Sequence, residues 1–224
     1  MNKTVFCIAM FLVGASLLSA TGIAVISGQQ GKATLRRANK SVKFANGSIL
    51  ESNDVLETGR KSGLGFKYAD GLAALHLFSE TQASLTAKAV LTGLNKEVEL
   101  QKGSLYVKQQ PGGGTLAVVF GKSQVSAEEA SFLIRTDGGG KAWISVFSGT
   151  VKITNTNGAI ATLGAQRSAD LSARGQVKAR PARNADLTTD ELAVVNPRPE
   201  EDQRKITVPM ADSQGRIKYV ELVW

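Results

Sequence analysis

One cysteine, one histidine, five prolines and few aromatic residues occur in the 224-residue chain. Cys7 sits in an apolar N-terminal run without a partner, which excludes disulfides and thiolate metal sites from the remainder. His76, between Leu75 and Leu77 on the outward side of an apolar alternation, has no second histidine or cysteine beside it. It reads as structural or exposed rather than as a metal ligand or a base. Aromatics make up only 6% and fall mostly at inward positions, so no base-stacking surface is indicated and nucleic acid is not an expected partner. The glycine runs Gly112-Gly113-Gly114 and Gly138-Gly139-Gly140 are not followed by a strand-to-helix step and read as loops, not phosphate cradles. Adjacent Glu128 and Glu129 would diverge to opposite faces of a strand, so they make no acid pair. No catalytic residue, metal site or cofactor is expected, and the chain reads as non-enzymatic.

What is present begins with a basic start, Met1–Lys3, and the apolar run VFCIAMFLVGASLLSA. Residues 1–26 read as a signal peptide or an N-terminal membrane anchor, since the run extends to Ile26 and its roughly 22 residues match the ~20 needed to span a bilayer. Small residues offer cleavage after Gly22 or after Ala24. The expected location is periplasmic or extracellular, with inner-membrane anchoring as the other outcome.

The net charge of +8 is carried by 27 Lys and Arg against 19 Asp and Glu. The basic residues gather in two clusters: Lys32, Arg36, Arg37, Lys40 and Lys43, then Arg167, Arg174, Lys178, Arg180 and Arg183. A polyanion such as peptidoglycan or lipopolysaccharide is one partner such clusters suggest. Lysine and arginine at outward strand positions also keep edges from pairing with other chains, and that solvated-face reading is the preferred one.

Glycine is abundant, with 23 residues, and it punctuates apolar pulses of period two. The stretch Ile144–Asp170 shows the grammar. Val151 and Ile153 point one way and Lys152 and Thr154 the other, Asn157-Gly158 turns the chain, Ile160 to Leu163 starts another strand, and Gly149 and Gly164 break the pattern. Upstream, turns are expected at Gly59, at Asp70-Gly71 as the strongest hairpin signal, and at Gly103. Only Ser79–Val90 and Ser126–Ala130 could hold a turn or two of helix. The expected architecture is all-β, solenoid-like or sandwich-like, over residues 28–175. A basic, polar linker with a short helix starting at Thr188 or Thr189 follows over 176–205, and a C-terminal β-hairpin over 206–224, capped by Trp224.

The run SILESNDVLETGRKSGLGFKYADGLAALHLFSETQASL resembles the FecR-like domain family at Asp54, Thr58, Gly59, Ser62, Phe66, Asp70, Gly71, Leu75, Leu77 and Leu85. LQKGSLYV and VFSGTVKITNTNGAIATLGAQ are similar to its later motifs, so the likeness runs from Gly31 to about Asp170. Where the family has a Thr-Pro pair and an R-G-T-x-F-x-V segment, this chain reads SAEEASFLIR. The resemblance implies a protein-protein role in envelope signalling, with an envelope protein as partner. The family's cytoplasmic anti-sigma part has no counterpart in Met1–Thr4, so direct control of a sigma factor is not expected.

Overall fold

Runs in which every second residue is apolar bury one face and wet the other, and between residues 22 and 181 such runs become strands around a shared core. The computed structural model describes residues 22–90, 93–196, 205–211 and 217–223. The leader up to Thr21, most of the expected linker after Asn196, the C-terminal turn and Trp224 lie outside the described residues.

In chain order the strands are β1 (Gly22–Gln30), β2 (Ala33–Arg37), β3 (Lys40–Val42), β4 (Ile49–Glu51), β5 (Val55–Thr58), β6 (Gly63–Tyr68), β7 (Ala73–Leu77) and β8 (Gln82–Val90). They continue as β9 (Gly93–Gln109), β10 (Leu116–Phe120), β11 (Ser123–Ala127), β12 (Ala130–Thr136), β13 (Ala142–Thr154), β14 (Ile160–Gly164), β15 (Arg167–Leu171) and β16 (Val177–Pro181). A 3-10 turn at Asn184–Asp186 and one helix, α1 (Thr189–Val195), come next. Last, β17 (Lys205–Ala211) and β18 (Ile217–Val223) pair antiparallel as a separate two-stranded sheet, with Val208 opposite Val220, at the place expected of the C-terminal hairpin.

The fold is all-β and sandwich-like. One layer runs β4-β1-β6-β7-β9-β12-β13-β15-β16, the other β3-β2-β5-β8-β9-β10-β11-β13-β14, and both face one hydrophobic cluster. Phe66, Leu77, Leu105 and Ile144 come from the first sheet and Leu35, Leu56, Leu85 and Val98 from the second, all essentially without solvent contact. Burying each such side chain contributes about 1.5–3 kcal/mol before entropy is counted. The layers are joined because β9 and β13 belong to both, and with β10, β11 and β12 they close a ring of five strands.

Several expectations need correction. Gly103 and Gly149 do not end strands: β9 and β13 continue through them and change sheets there, at φ of 97° and 72°. A Cβ on Gly103 would lie 2.3 Å from Thr81 Oγ1, and one on Gly149 2.2 Å from the Glu129 carbonyl oxygen, so the corners require glycine twice over. Gly71 and Gly158 are genuine positive-φ turns, whereas Gly59, Asn157 and Gly164 have ordinary φ. At the second of these turns, the Asn155 side-chain oxygen accepts from the N–H groups of Asn157 and Ala159, which holds the loop without left-handed asparagine. Ser79–Val90 and Ser126–Ala130 contain strand, not helix.

The β domain also exceeds the expected limits of 28–175. Gly22–Ile26, counted with the leader above, forms the first half of β1, and Ile23, Ala24, Val25 and Ile26 are buried between β4 and β6. At the other end, Val177–Pro181 extends the first sheet instead of beginning a linker. The helix does start where its capping residue predicts. Thr188 Oγ1 accepts from the Glu191 N–H, and the Glu191 carboxylate accepts from the Thr188 N–H.

Candidate binding groove

Two hairpins on the outward face of the first sheet build the groove. The Asp137–Lys141 connection between β12 and β13 is tied by Thr136 Oγ1 donating to the Lys141 carbonyl (2.9 Å), and this fixes the register that sets Arg135 opposite Trp143. Trp143 in turn lies opposite Asp170 on β15, and Asp170 opposite Lys178 on β16. Arg135, Trp143, Asp170 and Lys178 therefore form a row across four strands, pointing away from the core that Ile134, Ile144 and Leu171 enter.

The Arg135 guanidinium sits 4.4 Å from the Trp143 ring centroid. Its Nε donates to Glu191 Oε1 (2.7 Å), and its Nη2 donates to Glu191 Oε2 and to the Asp186 carbonyl (2.9 Å). Burial alone would push the Glu191 carboxyl up, but the hydrogen bonds from Arg135 and Thr188 outweigh it and hold this group below the usual glutamate range. Arg180 on β16 donates to Asp186 Oδ2 (2.6 Å), which lowers the Asp186 pKa. These contacts strap the 3-10 turn and α1 across the sheet beside the groove. The open space is about 520 Å³, with Trp143 as its aromatic wall and Asp137, Lys141, Asp170 and Lys178 around it. Such a surface can stack an apolar or planar group and pair with charges of either sign. Among the described residues, no cluster of His, Cys, Asp or Glu could hold a metal ion.

The basic residues singled out by sequence separate in the structure. Lys32, Arg36, Lys40 and Lys43 are exposed around the β2–β3 hairpin. Arg37 is engaged instead with buried Asp54 (Nε to Oδ1 2.9 Å, Nη2 to Oδ2 2.8 Å) and with Glu51, which raises its pKa. In the second cluster, Arg167 has the parity of core-facing Ala169 and Leu171, while Lys178 and Arg180 share the outward parity of Asp170. Arg174 lies in the β15–β16 turn and its carbonyl accepts from Asn157 Nδ2 (3.2 Å), and Arg183 precedes the 3-10 turn.

His76 is half-buried, its ring 4.8 Å from that of Phe78, and burial lowers its pKa. Gly63 makes room for it, since a Cβ there would lie 2.8 Å from Nε2. Glu128 and Glu129 are exposed at the β11–β12 corner. Sequence reasoning missed Arg135, Trp143 and Glu191. The first two could be found by folding the hairpin through Asp137–Lys141 and reading which residues share the outward parity.

No protein-family model matches the chain, and no curated protein does. Two crystal structures of a putative anti-sigma factor from Parabacteroides distasonis ATCC 8503 are similar in fold, one at 1.65 Å with a TM-score of 0.50, the other at 2.50 Å with 0.49. The likeness is one of fold. Identity is 15%, and the match covers 63% of this chain and 62% of the solved one.

Proposed function

We propose that this chain is an exported, non-catalytic FecR-like module that binds a protein partner in the cell envelope through the Trp143 groove. The observation that carries the reading is the composition of the groove. An aromatic wall stacked by an arginine, ringed by two carboxylates and two ammonium groups, has the character of a protein-contact hot spot. A polyanion would be repelled by Asp137 and Asp170, whereas a peptide can satisfy both signs. The family-like motifs in sequence and the fold shared with a putative anti-sigma factor are in keeping with a signalling role.

The test is photo-crosslinking in cells from a probe placed at Lys178, with the captured protein identified by mass. A discrete adduct that vanishes on Trp143→Ala, while the variant's melting temperature holds, supports the groove. An adduct indifferent to Trp143→Ala and Asp170→Lys sinks it.

Binding to peptidoglycan or lipopolysaccharide is the second reading, favoured by exposed Lys32, Arg36, Lys40 and Lys43, which make no ion pair among the described residues. Retention on cell-wall polymer that is abolished both by modest salt and by Lys40→Glu with Lys43→Glu would select it.

A further inference from the structure

Four strands end the two sheets, and three of them are guarded. β3 and β4 are three residues long; β3 carries Lys40, and the Arg37 Nη2 donates to the Ile49 carbonyl of β4 (3.1 Å). β16 carries Lys178, Arg180 and Pro181. Short length, charge and proline all stop an edge from recruiting another chain. β14 has none of these: its five residues, Ile160–Gly164, include no charge and no proline, and among the described residues it pairs only with β13. It also exposes Ile160 at 59%.

The strand is complementary to itself. Laid antiparallel about a dyad through Thr162, Ile160 of one copy meets Gly164 of the other, Ala161 meets Leu163, and Thr162 faces its own copy. Each large side chain falls opposite a small one on both faces, and a threonine pair sits at the centre. The nearest charge on the row is Lys152, opposite Thr162 on β13. Three strand spacings, about 14 Å, would part it from its symmetry copy, which exceeds the screening length of about 8 Å at physiological salt.

We propose that β14 is a self-association edge that pairs antiparallel with β14 of a second copy of this chain, so that the second sheet runs continuously through a two-fold dimer. The edge shares no residue with the Trp143 groove, and the proposal does not depend on what that groove binds. A five-residue edge buries less than the ~1,200–2,000 Å² of a standard stable interface, so the dimer is reversible and concentration-dependent.

Sedimentation velocity of the full chain over a concentration series is the first measurement: the weight-average mass should rise toward twofold, and Thr162→Lys should hold it at the monomer. Cross-linking in a Cys7→Ser background is the second. Thr162→Cys places thiols directly opposite and should give a covalent dimer under mild oxidation, while Ile160→Cys, whose copies would lie about 13 Å apart along the strands, should not. A wild-type chain that stays monomeric throughout, a Thr162→Lys variant that dimerises like wild type, or equal cross-linking from both cysteine variants overturns the proposal.

Discussion

Thr81 and Ser104 exchange two hydrogen bonds through a single hydroxyl: the Ser104 N–H donates to Thr81 Oγ1 (2.9 Å), and that oxygen donates to the Ser104 carbonyl (3.1 Å). Thr81 is fully buried, and its N–H donates in turn to Thr58 Oγ1 (2.9 Å). The pair thus pins β9 at the residue after Gly103, where the strand leaves one sheet for the other. Thr81→Val keeps the shape and removes the hydroxyl, so the Ser104 N–H loses its partner, while the Ser104 carbonyl keeps the Phe78 N–H (3.0 Å); the orphaned donor costs about 1–3 kcal/mol. Denaturant unfolding should show that loss; a midpoint equal to wild type would mean that water replaces the hydroxyl and the corner is held by packing.

The corner glycines should be far less replaceable than the turn glycine. Gly71 has φ of 73° with open space around it, so Gly71→Ala meets only the left-handed backbone penalty of about 1 kcal/mol. Gly149→Ala meets that penalty and places Cβ 2.2 Å from the Glu129 carbonyl oxygen and 2.9 Å from Ala130 Cα, both backbone atoms. Its loss of stability should exceed that of Gly71→Ala at least twofold. Equal melting temperatures for the two variants would contradict the sheet-switching corner.

How much of this was legible follows from what each signal means physically. The Asp70-Gly71 hairpin was readable because its turn needs positive φ and supplies a glycine for it. At Gly103 and Gly149 the same residue type signals a corner instead, and glycine alone does not separate the two cases. The apolar parity does change, from Val98 and Leu100 to Leu105 and Val107, and again from Ile144 and Val146 to Val151 and Ile153, which is the trace of a strand crossing between layers. β1 reads as part of the leader because a strand buried between two neighbours continues the apolar run without a break in polarity. Arg135 and Trp143 follow from hairpin register, but Glu191 is 56 residues from Arg135, and no local pattern joins them.

A second long-range pair holds the other end of the sandwich. The Lys96 side chain is fully buried, with Nζ 2.6 Å from Asp70 Oδ2 and 3.2 Å from the Leu94 carbonyl, to which it donates, as it does to Gly113. This cation fastens the Asp70-Gly71 turn of the first sheet to the Pro111–Gly114 loop beside the second. Lys96→Met leaves a largely buried carboxylate unpaired and should cost about 3–5 kcal/mol. Adding Asp70→Asn removes the orphaned charge and should restore part of the loss. If the double variant unfolds no later than the single one, the pair is not coupled as described.

The strap over the groove should be sensitive to acid. Glu191 is held below the usual glutamate range by Arg135 and Thr188. For a carboxylate so depressed, the added stability is complete above the range in which an unfolded-chain glutamate titrates, and it is lost as pH falls through the lower, folded-state value. Glu191→Gln removes this contribution at every pH. The wild-type chain should therefore melt higher than the variant at pH 7, with the difference closing on acidification through and below the ordinary glutamate range. Asp186, also depressed by its pairing with Arg180, acts in the same direction in both proteins and drops out of the comparison. A constant difference from pH 7 to pH 3 would show that Glu191 acts by packing and not by charge. A difference that widens in acid would reverse the sign and place Arg135 against some other carboxylate.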